Sequence, residues 1–165
     1  MNYKQIQEDV IRKYRITIDS DSKCWRRTHA HVKERKVCKW RPKSSIACTF
    51  ELLHEIGHIE TTKSWMRRAE SEYYATCWAI DRCYEYGIEA PAKLLKEYQD
   101  YINMEIDRGK RRGGNGYGDL SLVGYLRKRL DDIERDLEKL NSELLKLKAY
   151  EDSLKDCRFK RGLYR

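Results

Sequence analysis

The sequence predicts an α+β protein, a small mixed domain followed by a long C-terminal helix of coiled-coil type. Three observations carry that expectation. An apolar run from Ile46 to Ile59 has the length of a buried helix. Short, imperfectly alternating stretches between Ile16 and Trp40 read as strands. After a Gly-rich segment, apolar residues recur in sevens. The 165 residues suit one ordinary domain, or a small domain plus an extension.

In chain order, residues 2–15 space Ile6, Val10, Ile11 and Tyr14 along one helical face. Ile16-Thr17-Ile18 reads as a strand ended by the turn-prone Asp19-Ser20-Asp21-Ser22. Ala30, Val32 and Val37-Cys38 mark one or two further strands, whose Lys/Arg content places them at an edge or exposed face. The apolar run forms a helix from about Ser45 to Glu60, broken at Thr61-Thr62. A second helix is expected from Ser64 to Tyr86, with Gly87 as its C-terminal cap. A third begins at Pro91, directs Leu94, Leu95, Tyr98, Ile102 and Ile106 inward, and ends near Gly109.

Gly109 to Gly118 holds five of the nine glycines and reads as a flexible linker. Beyond it, Val123, Leu130, Leu137 and Leu144 form one heptad series, and Leu126, Ile133, Leu140, Leu147 and Leu154 the other. This two-in-seven seam ends where Glu151 takes a seam position, and its narrowness favours self-association through residues 123–154. The expected organisation is therefore a domain over 1–108, a linker over 109–118 and a coiled-coil helix over 119–157.

Charge and cysteine usage narrow the function classes. Charged residues make up 38 % of the chain, so the core must be compact. No run of 18 apolar residues is present, and the N-terminus lacks a secretory signal pattern; a cytoplasmic protein without a membrane span is expected. Between Lys23 and Lys43 stand nine Lys/Arg and one Glu, a local excess equal to the +8 of the whole chain. This segment is a candidate surface for nucleic acid or acidic protein, without any motif for base readout. The six cysteines form no CxxC pair, and most are expected as free buried thiols. Cys24, His29, His31 and Cys38 offer four zinc ligands, but their spacing matches no standard finger, and unligated side chains are the expectation.

Chemistry concentrates at His54-Glu55-Ile56-Gly57-His58, the HExxH pattern of zinc-dependent peptidases. On a helix, His54 and His58 sit one turn apart and can share an ion, while Glu55 can reach a water without ligating. Gly57 removes bulk beside them, so another helix can come close. A catalytic zinc needs a third protein ligand. Glu72 shares its face with Ala69, Ala75, Thr76, Ala79 and Cys83, all small enough for close approach; Glu70 sits with the bulkier Tyr73, Tyr74 and Cys77. Glu72 is therefore favoured as third ligand, with Glu70 next and then Glu60, or no third ligand at all, as alternatives. An oxyanion donor is expected from Tyr73, Tyr74 or the basic segment, with none singled out.

The segments Leu53-His54-Glu55-Ile56-Gly57-His58 and Glu72-Tyr73-Tyr74-Ala75-Thr76-Cys77-Trp78-Ala79 resemble the ImmA/IrrE-type metallopeptidases of bacteria, phages and mobile elements. The resemblance covers roughly residues 45–85. It implies a small α+β zincin-like domain, Zn²⁺ held by His54, His58 and Glu72, Glu55 as general base, and cleavage of a repressor or other regulator. Many members have a second Glu where this chain has Tyr74. The leading expectation is thus a zinc endopeptidase acting on a protein target. A non-catalytic interaction module using the coiled coil and basic patch is the alternative, and a nucleic-acid-associated protein with a structural HExxH the third.

Overall fold

A computed structural model of the chain describes residues 2–21 and 28–162, with side chains described as far as Ser153. It is mixed α+β and mostly helical. Its elements are α1 (Tyr3–Lys13), β1 (Thr17–Asp19), β2 (His29–His31), β3 (Lys36–Cys38), α2 (Ile46–Thr61), α3 (Arg68–Glu85), α4 (Ala92–Arg111) and α5 (Leu122–Gly162). The chain divides into two compact units, Met1–Leu122 and Val123–Arg165.

The three strands form one sheet in the order β1-β3-β2, with β1 parallel and β2 antiparallel to β3. Val37 therefore stands between Ile18 and Ala30, and it is fully buried. A four-residue turn joins β2 to β3, closed by Arg35 N–H donating to the Val32 carbonyl at 3.3 Å, with Arg35 at φ 49°. That left-handed residue ends the turn and sets the register of the hairpin.

Helix α2 is the centre of the first unit. Phe50, Leu52, Leu53 and Ile56 are each fully buried, which is the pattern of a helix covered on more than one side. Ser45 caps it, its hydroxyl accepting from Cys48 N–H at 3.2 Å. Buried Gln7 ties α1 to this end, donating to the Lys43 carbonyl at 2.9 Å and to Thr49 Oγ1 at 2.8 Å.

Helix α3 starts at Arg68, four residues later than Ser64. The Glu70 carboxylate reaches back to Arg67 N–H at 2.9 Å, so the cap defines the start, and Trp65 is left exposed in the preceding turn. At the other end Gly87, at φ 65°, closes the helix, with Ile88 N–H on the Cys83 carbonyl at 2.8 Å. Pro91 precedes α4 as its N-cap. Of that helix's apolar side only Ile102 is fully buried; Leu94, Leu95, Tyr98 and Ile106 are half-buried.

The Gly-rich segment makes specific contacts. Helix α4 runs through Gly109 to Arg111, and a side chain at Gly109 would begin 1.7 Å from the Tyr117 hydroxyl. The Arg67 guanidinium lies 4.6 Å over the Tyr117 ring and donates to the Asn115 carbonyl. Gln99 then receives Leu122 N–H at 2.7 Å and donates to the Leu120 carbonyl at 3.2 Å, next to buried Leu120 and Leu122. Missing side chains, in other words, are what let this stretch fold back on its own helix end.

Helix α5 begins at Leu122, three residues after the expected start, and its 41 residues span about 60 Å. Val123, Leu130, Ile133, Leu137, Leu140, Leu144 and Leu147 are all exposed on it. Leu154 has no described side chain. Among the described residues, no helix is long and apolar enough to cross a membrane.

Candidate metal centre

His54, His58 and Glu72 come together between α2 and α3. Glu72 Oε2 lies 3.3 Å from His54 Nε2 and 3.3 Å from His58 Nε2. The two rings are nearly perpendicular, 83° apart, with centroids 4.7 Å from each other. Gly57 makes this possible. A Cβ there would fall 2.5 Å from the Ala75 carbonyl oxygen and 2.9 Å from its Cα, so only glycine lets the two backbones meet. Ala69, Ala75, Thr76, Ala79 and Cys83 line that face of α3, each essentially inaccessible to solvent. Glu70 is engaged in the cap and Glu60 pairs with Arg35, which leaves Glu72 as the carboxylate facing the histidines.

Hydrogen bonds fix the His54 ring. The Thr76 hydroxyl gives its proton to the Glu72 carbonyl at 2.8 Å, so toward His54 Nδ1, at 3.2 Å, it can only accept. Nδ1 therefore carries the proton, and Nε2 turns a lone pair toward Glu72. Burial drives the His54 pKa down to about 4, which keeps the ring neutral. His58 Nδ1 lies 3.0 Å from the Ser71 hydroxyl, itself 2.7 Å from Thr62 Oγ1, which holds the ring with Nε2 facing Glu72.

The residues fit a metal ion. Three donor atoms lie within 4.8 Å of one another, two of them imidazole nitrogens and one a carboxylate oxygen. A lone pair pointed at a carboxylate is repulsive unless a cation separates them. Glu72 is 97 % buried, yet its Oε1 makes no hydrogen bond; Arg68 Nε lies 2.8 Å away without directing its proton at the oxygen. Burial opposes ionisation of the Glu72 carboxyl, while imidazoles protonated toward it would hold it well below the usual range.

Glu55 lines the same cleft without joining the donor set. Burial pushes its carboxyl up to about 7, with Glu72 and Glu51 adding to the effect and His58 opposing it. A divalent cation beside it would draw that value down.

Sequence reasoning missed several participants. Tyr98 of α4 packs its ring on His54, centroids 4.3 Å apart, and burial raises its hydroxyl pKa. It lines the cleft with Tyr101 and Arg68. Tyr73 and Tyr74, two of the candidates for an oxyanion donor, instead meet edge to face with centroids 5.4 Å apart and do not line it. Lys39, Arg41 and Lys43 of the basic segment do. The signal for Thr76 was available, one turn after Glu72 on the small-residue face; for Tyr98, helical periodicity marked only an inward-facing residue. Cys38, Cys48, Cys77 and Cys83 are buried thiols in no disulfide, while Cys24 lies outside the described residues.

Compared with protein-family models, curated proteins and solved structures, the chain gives no match.

Proposed function

We propose that the protein is a zinc-dependent endopeptidase whose substrate is another protein, such as a repressor or regulator. The supporting observation is the equal 3.3 Å approach of Glu72 Oε2 to both histidine Nε2 atoms, with Glu55 lining the same cleft. His54, His58 and Glu72 would hold the ion. A bound zinc ion supplies Lewis-acid polarisation of a carbonyl and an acidified water. Glu55 accepts a proton at its carboxylate and returns it to the leaving amine. Thr76 and Ser71 keep the imidazoles in the ligating orientation. The cleft, about 1360 Å³, exceeds the ~300–1000 Å³ usual for small-molecule pockets and suits a length of polypeptide. Lys39, Arg41 and Lys43 along it favour an acidic stretch in that polypeptide. The assignment of a regulator as target rests on the motif resemblance alone.

The test is Glu55→Gln. It should retain the wild-type zinc content and lose ~10²–10⁴-fold in cleavage rate, read as new peptide termini in cells expressing wild type but not the variant. Full activity in Glu55→Gln would remove the general base from the mechanism.

One observation favours a role for the second unit in assembly. The heptad series on α5 leaves its apolar seam in solvent, which a second copy of the same helix would cover. In the alternative reading this seam, rather than the cleft, is the working surface of a non-catalytic interaction module.

A further inference from the structure

The sheet carries a second cluster of donor atoms. His29 and His31 are two apart on β2, so both project from the same face. In the antiparallel register His29 is paired with Cys38 of β3, which adds a thiol to that face. His29 Nε2 and His31 Nε2 are 3.2 Å apart, with ring centroids at 5.0 Å, and one donor atom from each of the three residues lies within 4.8 Å of the others. Tetrahedral zinc, with bonds of ~2.0–2.1 Å to nitrogen and ~2.3 Å to sulfur, separates its donors by ~3.3–3.6 Å. The nitrogens already stand at that separation. Lys36, opposite His31, has its charge answered by Glu34 at 2.8 Å, which lessens its repulsion of a cation.

We propose that His29, His31 and Cys38 form a second metal site, selective for a borderline-soft divalent ion of the zinc class. Two imidazoles and one thiolate are the donor set such ions prefer over oxygen-seeking magnesium or calcium. On coordination Cys38 releases its proton to solvent and becomes a thiolate; among the described residues these three are the donors. Because the ligands come from both strands, the ion pins the hairpin register. His29 and His31 line the same cleft as Glu55, so the ion would also add positive charge there. The site does not depend on the proposed peptidase activity.

Cobalt(II) alone, titrated into the full chain, separates the two sites because only this one contains sulfur. With both clusters loaded, wild type should bind two ions per chain and develop a thiolate-to-cobalt charge-transfer band in the near ultraviolet. The His54→Ala/His58→Ala double variant should keep the band; Cys38→Ser should lose it together with one ion. His31 is only partly buried, so His31→Ala tests the set without emptying the core, with folding checked by circular dichroism. It should weaken the band-bearing site by ~100-fold or more, beyond the ~10–100-fold typical of a lost supporting hydrogen bond. Absence of the band in wild type at saturating cobalt overturns the proposal, as does a band that survives Cys38→Ser or ignores His31→Ala. A single bound ion with the band intact supports this site and counts against the His54 site instead.

Discussion

Helices α2 and α5 are both rich in apolar residues, and their situations are opposite. In α2, Leu52, Leu53 and Ile56 are fully buried; in α5, Leu137, Leu140 and Leu147 are more than half exposed. The difference lies in what each helix can approach. Gly57 and the small residues of α3 let two backbones meet, and that closeness brings His54, His58 and Glu72 together. The α5 seam is a narrow stripe of larger side chains with charge on either side, a pattern fitted to another seam of the same kind. An apolar period specifies a helix, then, while the sizes along its stripe specify what may cover it.

The comparison can be broken most directly with paired truncations. Leu53→Ala, in α2, should cost ~2–5 kcal/mol of unfolding free energy, because a filled site becomes a cavity. Urea denaturation followed by tryptophan fluorescence would measure it, and an unchanged midpoint would contradict the packing described here. Gly57→Ala comes next. Its methyl group meets α3 backbone at 2.5 Å, so overpacking should cost ~1–3 kcal/mol and weaken metal retention together. Loss of neither would show that the helices can separate freely.

A finer test concerns ring orientation. Thr76→Val keeps the shape beside His54 and removes the acceptor for Nδ1–H. Zinc affinity should fall ~10–100-fold, with the fold intact, as read by competition with a chromophoric chelator. Equal affinity in the variant would mean that Thr76 is only packing. The smallest effect is expected on α5, where Leu140→Ala should change the unfolding free energy of the first unit by less than ~0.5 kcal/mol. Sedimentation equilibrium on the same variant should show weaker self-association. A monomeric wild type at high concentration would leave the seam without its second copy.

Legibility varied with the distance over which each feature is specified. The HExxH helix and its Ser45 cap are local, and i/i+4 spacing was enough to place both histidines. Choosing Glu72 over Glu70 needed one further step, the run of small residues beside it. The start of α3 was misplaced because a capping Glu three residues into the helix outweighed the helical content of Ser64 to Arg67. Tyr98 on His54 was not readable, since it depends on how α4 crosses the other helices. His29, His31 and Cys38 were legible with Cys24 as possible ligands but not favoured, because bringing them together requires a strand register set by a left-handed Arg35.

By itself the sequence determined periodicities and punctuation: five helices, short strands among basic residues, a glycine where helices must touch, and one metal-type motif. These follow from side-chain geometry within a turn or two of backbone. Tertiary structure alone decided which hydroxyls orient the histidines, how Tyr98 meets His54, and that the strand register gathers His29, His31 and Cys38. Those outcomes depend on contacts between residues far apart in the chain, where angstrom-scale placement comes from packing rather than from spacing.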